Sequence, residues 1–190
     1  MGIRGRTDLA NESLVAELRQ RHADALDVLL RQHGAEIQAV AYLILRNEHD
    51  AEETLADTLL TAWRKIDTLR DPDRLRPWLL TTATRIALRR RRPFRPHVVS
   101  LDAATEMPSA DPSPIDRLAL QEAINLLPTR MRAVLALHDV ADLPTSEIAV
   151  ALGRSENTIK SQLREARARL RQTLLDDPMV SNDRGRGSRT

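Results

Sequence analysis

"LGRSENTIKSQLREARARL", residues 152–170, reads as a tight turn running into a helix with two different faces. Ile159, Leu163, Ala166 and Leu170 recur at intervals of four, three and four, the apolar stripe of a helix packed on one side. The opposite side carries Asn157, Lys160, Ser161, Arg164 and Arg167. Just upstream, "PTSEIAVALG" (144–153) supplies a shorter helix with Ile148, Ala149 and Leu152 inward. Gly153 suits the left-handed backbone of a tight turn, and the small Ala149 lets the second helix approach closely. Ser155 is placed to cap the second helix, and Pro144 starts the first one without sacrificing a hydrogen bond. The layout is a helix-turn-helix.

In that geometry the start of the second helix enters the major groove of duplex DNA. The candidate DNA-binding set is therefore Arg154, Ser155, Glu156, Asn157, Thr158, Lys160, Ser161 and Arg164. Between Arg154 and Arg171 six basic residues face only Glu156 and Glu165, an excess placed where phosphates would be met.

Charge over the whole chain says less. The net charge of the 190 residues is +2, so the distribution matters more than the sum. Only Lys65 and Lys160 are lysine among the 29 basic residues; arginine's planar fork suits phosphate and guanine, but a GC-rich genome produces the same bias. Without cysteine there is no disulfide, thiolate nucleophile or Cys-based zinc site. No apolar run approaches the ~20 residues that span a bilayer, and "MGIRGRTDLANES" lacks a signal-peptide core. The expectation is a cytoplasmic protein with no membrane partner, no cofactor, no metal and no small-molecule substrate.

Helical periodicity dominates the remainder and predicts an all-α chain of two small helical domains. Apolar positions run from Leu14 to Ile44, with Asp24 a candidate N-cap and Gly34 either a break or a weak point. A helix is expected from about Asp50 to Lys65, a loop over 67–77, and a helix from Trp78 to Arg92. Half of the ten prolines then fall between Arg92 and Ile115, a density that suits an extended linker. Further helices are expected at about 115–126, 129–140 and 145–151. The resulting division is a flexible tail at 1–11, a helical domain at 12–92, a Pro-rich linker at 93–114, a helix-turn-helix domain at 115–175 and a disordered tail at 176–190.

Two charge blocks mark the first domain. "NEHDAEETLADT" (47–58) holds five acids and no lysine or arginine, whereas Arg74 to Ser100 holds eight arginines and no acid. Helix dipoles favour both arrangements, so neither is diagnostic alone.

The motifs together resemble a known family. "AEETLADTLLTAW" (51–63) is similar to the acidic segment of the extracytoplasmic-function (group IV) sigma factors, in the sigma-70 family of bacterial RNA polymerase. "WLLTTATRIALRRRR" (78–92), "LPTRMRAVLAL" (127–137) and "EIAVALGRSENTIKSQLREAR" (147–167) match further segments in the family's order. Departures include Glu53, Ala56, Leu59, Arg85 and Arg89 in the first domain, and Asp142, Pro144 and Asn157 in the second.

The resemblance implies sigma region 2 followed by sigma region 4. It implies core RNA polymerase as partner, through the β′ clamp helices and the β flap, with Arg46, Asn47, Glu52, Glu53 and Asp57 as the clamp-facing candidates. Trp78, Arg85, Arg89 and Arg90 would face the melted −10 strand, and the 152–170 helix would read the −35 duplex. Aromatic platforms are scarce, and Trp63 and Trp78 read better as core anchors than as stacking surfaces. Promoter DNA and an anti-sigma factor complete the implied partners. The function implied is promoter-specific transcription initiation without catalysis.

The competing reading is a stand-alone helix-turn-helix regulator, which leaves the acidic and Trp78–Arg92 segments without a use. An enzyme finds no support: the five histidines form no H-E-x-x-H pair, and no phosphate-binding glycine loop occurs. A protein-only helical adaptor leaves the basic helix unexplained.

Overall fold

The computed structural model describes residues 4–90 and 114–176, with side chains for 11–90 and 118–176. The described residues form α-helices and short helical turns, with no strand among them. Four helices come first: α1 (Arg4–Arg19), α2 (Asp24–Leu45), α3 (Glu48–Lys65) and α4 (Leu75–Arg89). The second group is α5 (Pro114–Asn125), α6 (Thr129–Leu135), α7 (Thr145–Leu152) and α8 (Glu156–Asp176). A π-helical turn over Ala136–Val140 extends α6. The expected linker lies outside the described residues apart from Pro114, which opens α5, and the C-terminal tail does so beyond Asp176.

Local chemistry explains most boundaries. In α2, Ala25, Leu29, Ile37, Val40, Ala41 and Ile44 are all fully buried at helical spacing, and the helix passes through Gly34 without a break. Asp24 is not a cap: Ala23 holds that position with no side-chain bond, and Asp24 is the first helical residue. There, with Asp27, its charge favours the helix dipole instead. A side-chain cap does form at Asn47, which accepts the Asp50 N–H at 2.9 Å and starts α3.

The expected loop at 67–77 is shorter than its two prolines suggest. Short 3₁₀ turns occupy Ile66–Thr68 and Pro72–Arg74, and α4 begins at Leu75 rather than Trp78. Pro77 sits in the first turn of α4, where a missing N–H breaks no helical bond. Arg19 donates to the Leu69 carbonyl at 2.6 Å, and Arg21 pairs with Asp67 at 2.9 Å, tying the segment to α1.

The helix-turn-helix forms as its residues dictate. Gly153 adopts φ +61°, and the Ser155 hydroxyl accepts the Thr158 N–H at 3.1 Å. Asp142, standing where the resembling family has glycine, also has positive φ (51°), a conformation aspartate tolerates better than most residues. Ile159, Leu163 and Ala166 are buried. Truncating the fully buried Ile159 to alanine costs about 2–5 kcal/mol.

The two helical domains are packed on one another. Leu29, Ile44, Leu75 and Leu79 of the first helices belong to the same apolar cluster as Leu137, Ile148, Ile159 and Leu163 of the second. The two halves share a core. Trp63 and Trp78 pack against it, in keeping with their reading as anchors.

Candidate nucleic-acid interface

The exposed side of α8 keeps the expected set together. Asn157, Lys160, Ser161 and Arg164 are all solvent-exposed, on the side away from Ile159 and Leu163. Arg154 and Ser155 lie exposed in the turn that leads to them, with Glu156 and Thr158 half-buried. Lys160, Arg164, Arg167 and Arg171 line a shallow groove of about 380 Å³, with His138 and Thr145 on its other wall. An anion of extended shape, such as a phosphate backbone, fits that line of cations.

Not all of these groups are equivalent. Lys160 Nζ pairs with Glu156 at 2.8 Å, and the same carboxylate accepts from the Thr145 hydroxyl at 2.8 Å. The Lys160 hydrogen bond, and secondly that of Thr145, hold the Glu156 carboxyl below its ordinary pKa. Thr145 thereby ties the start of α7 to the start of α8, a contact that spacing alone does not reveal. Arg167 reaches Asp139 and the His138 ring.

Of the residues expected to face a melted strand, Arg89 and Arg90 line one groove, whereas Trp78 and Arg85 make their contacts elsewhere. Trp78 is half-buried against the core. Arg85 Nε donates to the Ala151 carbonyl of α7 at 2.9 Å. Arg89 lines a groove of about 450 Å³ between α3 and α4, with Leu60, Arg64, Lys65 and Asp57. Arg90, at the end of α4, binds both Asp57 and Glu53 across that groove. The Asp57 hydrogen bond is the main reason its guanidinium is held above its ordinary pKa.

The same contacts rearrange the acidic set. Glu53 and Asp57 face Arg90, with His49 3.3 Å from Glu53, and Glu52 is exposed. Asn47 spends its side chain on the α3 cap. Arg46 is only 7% exposed: it stacks over Tyr42 at 4.8 Å, and its Nε donates to the Asn125 side chain of α5. Residues expected to meet two different partners are thus joined, and one is covered by the second half of the chain.

Sequence reasoning missed Arg132. Its Nε and Nη2 donate to the Ile44 carbonyl at 3.0 and 2.8 Å, and Nη1 to the Leu127 carbonyl at 2.8 Å. Burial, and secondarily the Arg46 charge, lower its pKa to about 10. The available signal was an arginine at a core-facing position of "LPTRMRAVLAL" (127–137).

Among the described residues no helix is long and apolar enough to cross a membrane, and no cluster of three or more His, Asp or Glu could hold a metal.

Comparison with known proteins agrees with both halves. Residues 29–93 match the family model for sigma-70 region 2, and residues 117–170 the model for sigma-70 region 4. The ECF RNA polymerase sigma factor SigM of Mycobacterium tuberculosis is 30% identical over 182 residues, covering 92% of this chain and 89% of SigM. SigE of Mycolicibacterium smegmatis is 32% identical over 158 residues; the match covers 78% of this chain but 61% of that longer relative. Among solved structures, CnrH in complex with the cytosolic domain of CnrY has a TM-score of 0.64 and 25% identity, covering 88% of this chain and 99% of that one. The sigma factor RpoE in complex with the anti-sigma factor NepR from Bartonella quintana shares the fold at TM-score 0.65 and 24% identity, covering 81% and 99%. With both regions matched in order and a relative covered over most of its length, the chain belongs to the ECF RNA polymerase sigma factor family.

Proposed function

We propose that this protein binds core RNA polymerase and directs promoter-specific initiation, reading the −35 element with α8 and the −10 element with the α3–α4 half. The observation that carries the reading is the exposed row Asn157, Lys160, Ser161 and Arg164 beside a groove lined with further arginines. Asn157 and Ser161 supply hydrogen bonds to base edges, and the cations meet phosphates and guanine. In the α3–α4 half, Arg89 and its groove neighbours Arg64 and Lys65 hold the single strand by charge. Arg46, Asn47, Glu52, Glu53 and Asp57 form the polymerase-facing set, and the β flap meets the second half. Two weak readers on one chain gain avidity only at the correct spacing, which polymerase supplies. No catalytic step belongs to the chain itself.

Two neighbours in fold were solved with CnrY and with the anti-sigma factor NepR. That supports an anti-sigma factor as the controlling partner here.

Run-off transcription with purified core polymerase and a genomic promoter library tests the proposal. Core-dependent initiation from a defined set of promoters is expected. Tight duplex binding without polymerase, with no core-dependent transcript from any promoter, selects the stand-alone regulator instead. Lys160→Ala and Arg164→Ala should each weaken upstream binding while sparing association with core; loss of core association would overturn the face assignment.

A further inference from the structure

We infer that Glu156 and Lys160 act together as one reader that selects a C·G pair in the upstream duplex, and that Thr145 is the positioning residue that aims it. This assignment rests on α8 entering the major groove of that duplex, as proposed above.

Glu156 stands out among its neighbours. Asn157, Lys160, Ser161 and Arg164 on the exposed side of α8 are neutral or cationic, and Lys160 and Arg164 continue into the line of arginines. A carboxylate in that setting weakens attraction to phosphates of any sequence. An acid at a helix start does favour the dipole, and an i, i+4 ion pair adds a little more. The Glu165–Arg169 pair, at 2.7 Å, is that ordinary arrangement, joining two residues of one helix.

Glu156 is held differently. Its Oε1 takes both the Lys160 Nζ at 2.8 Å and the Thr145 hydroxyl at 2.8 Å. Thr145 is the first residue of α7 and Glu156 the first of α8. In a helix-turn-helix the first helix crosses the phosphate backbone while the start of the second meets base edges. The Thr145 bond therefore fixes a groove-facing carboxylate before DNA arrives, which lowers the ordering cost of the contact. With both bonds on Oε1, Oε2 is left to accept from a base, on a side chain that is 43% exposed. The Lys160 hydrogen bond, then that of Thr145, hold the carboxyl below its ordinary pKa, so it is ionised and only accepts.

The choice of base follows from this pairing of an acceptor with a donor. In the major groove cytosine presents its N4 amino group as a donor, with no acceptor of its own beside it. Its partner guanine presents O6 and N7 as acceptors. A C·G pair thus meets Oε2 with N4, and Lys160 Nζ with O6 or N7. Adenine's N6 donor lies next to N7, which repels the carboxylate, while guanine and thymine confront it with acceptors alone.

Holoenzyme assembled from the full chain and core polymerase is offered a promoter library randomised across the upstream element, and the bound DNA is sequenced. Wild type should favour C·G at the position read by Glu156 by roughly 5- to 150-fold, the range of a good bidentate base contact. Glu156→Gln should move that one position toward A·T, because a glutamine amide matches adenine N6 and N7. Preferences elsewhere, and association with core, should stay as in wild type. Thr145→Val should lower the cytosine preference at the same position, and Thr145→Ser should restore it. Glu165→Gln should leave the whole profile unaltered. An unaltered profile in Glu156→Gln, an even loss across all positions in Thr145→Val, or the same shift produced by Glu165→Gln would each overturn the assignment. Failure of the promoter reading has a different signature: no upstream sequence is enriched by wild-type holoenzyme, so there is no preference for any variant to change.

Discussion

Two glycines should respond to the same substitution with opposite signs. Gly153 has φ +61° between α7 and α8, and a Cβ placed there meets nothing within 4 Å. The cost of Gly153→Ala is therefore backbone conformation alone, about 1–2 kcal/mol for an L-residue in the left-handed region. Reduced freedom of the unfolded chain returns about 0.4–1 kcal/mol. The net expectation is a loss of about 0.5–1 kcal/mol. Gly34 lies inside α2, where alanine is favoured over glycine by about 1 kcal/mol. Its Cβ would fall 2.8 Å from Leu30 Cδ1, but Leu30 is 42% exposed and can swing away. Displacing that rotamer costs about 0.5 kcal/mol, so Gly34→Ala should gain about 0.5 kcal/mol. For a protein of this size each kcal/mol moves the melting temperature by about 2–4 °C. Calorimetry at neutral pH should show Gly153→Ala melting below wild type and Gly34→Ala above it. Gly153→Asn should lose less than Gly153→Ala, because asparagine visits the left-handed region more readily. Because the halves share a core, both changes should shift one transition. Gly153→Ala melting at or above wild type would refute the turn argument, and two separate transitions would refute the shared core.

Replacing Arg164 with alanine should lower the slope of log affinity against log salt for upstream duplex by about one, measured by fluorescence anisotropy between about 50 and about 200 mM salt. An unchanged slope removes Arg164 from the phosphate contacts. Asn47→Ala should cost about 1 kcal/mol through loss of the α3 cap, and Asn47→Ser should retain most of it. If polymerase affinity falls equally for both variants, the Asn47 side chain meets polymerase as well as capping. Burial holds the His33 imidazole below its ordinary pKa of 6.5, against the pull of Glu36 and with a further lowering from Arg76. The unfolded chain thus takes the proton first, and wild type should lose stability as pH falls below 6.5. His33→Gln should be free of that loss in urea titrations across the same range; parallel behaviour of the two would rule out His33 as the cause.

What the sequence determined by itself was local. The spacing of Ile159, Leu163 and Ala166, the small Ala149, the Gly153 turn and the Ser155 cap are short-range constraints, and each appears as read. Segment order and spacing were enough to suggest the family. Errors arose where several local solutions compete: Asp24 has the chemistry of a cap yet sits one residue inside the helix, and Pro77 resembles a loop residue but is accepted in a first turn. The long-range contacts are another matter. Periodicity says that a side chain turns inward, but not which neighbour it meets. Arg132 finds the Ile44 carbonyl across 88 positions, Arg85 finds Ala151 across 66, and Arg90 finds Asp57 across 33. A helix-end carbonyl and an arginine fork are general-purpose partners, so no spacing rule selects one pairing from many. Only packing of the two halves on a common core brings those particular groups within hydrogen-bond reach, and tertiary structure alone decides which candidate residues stand free and which are held.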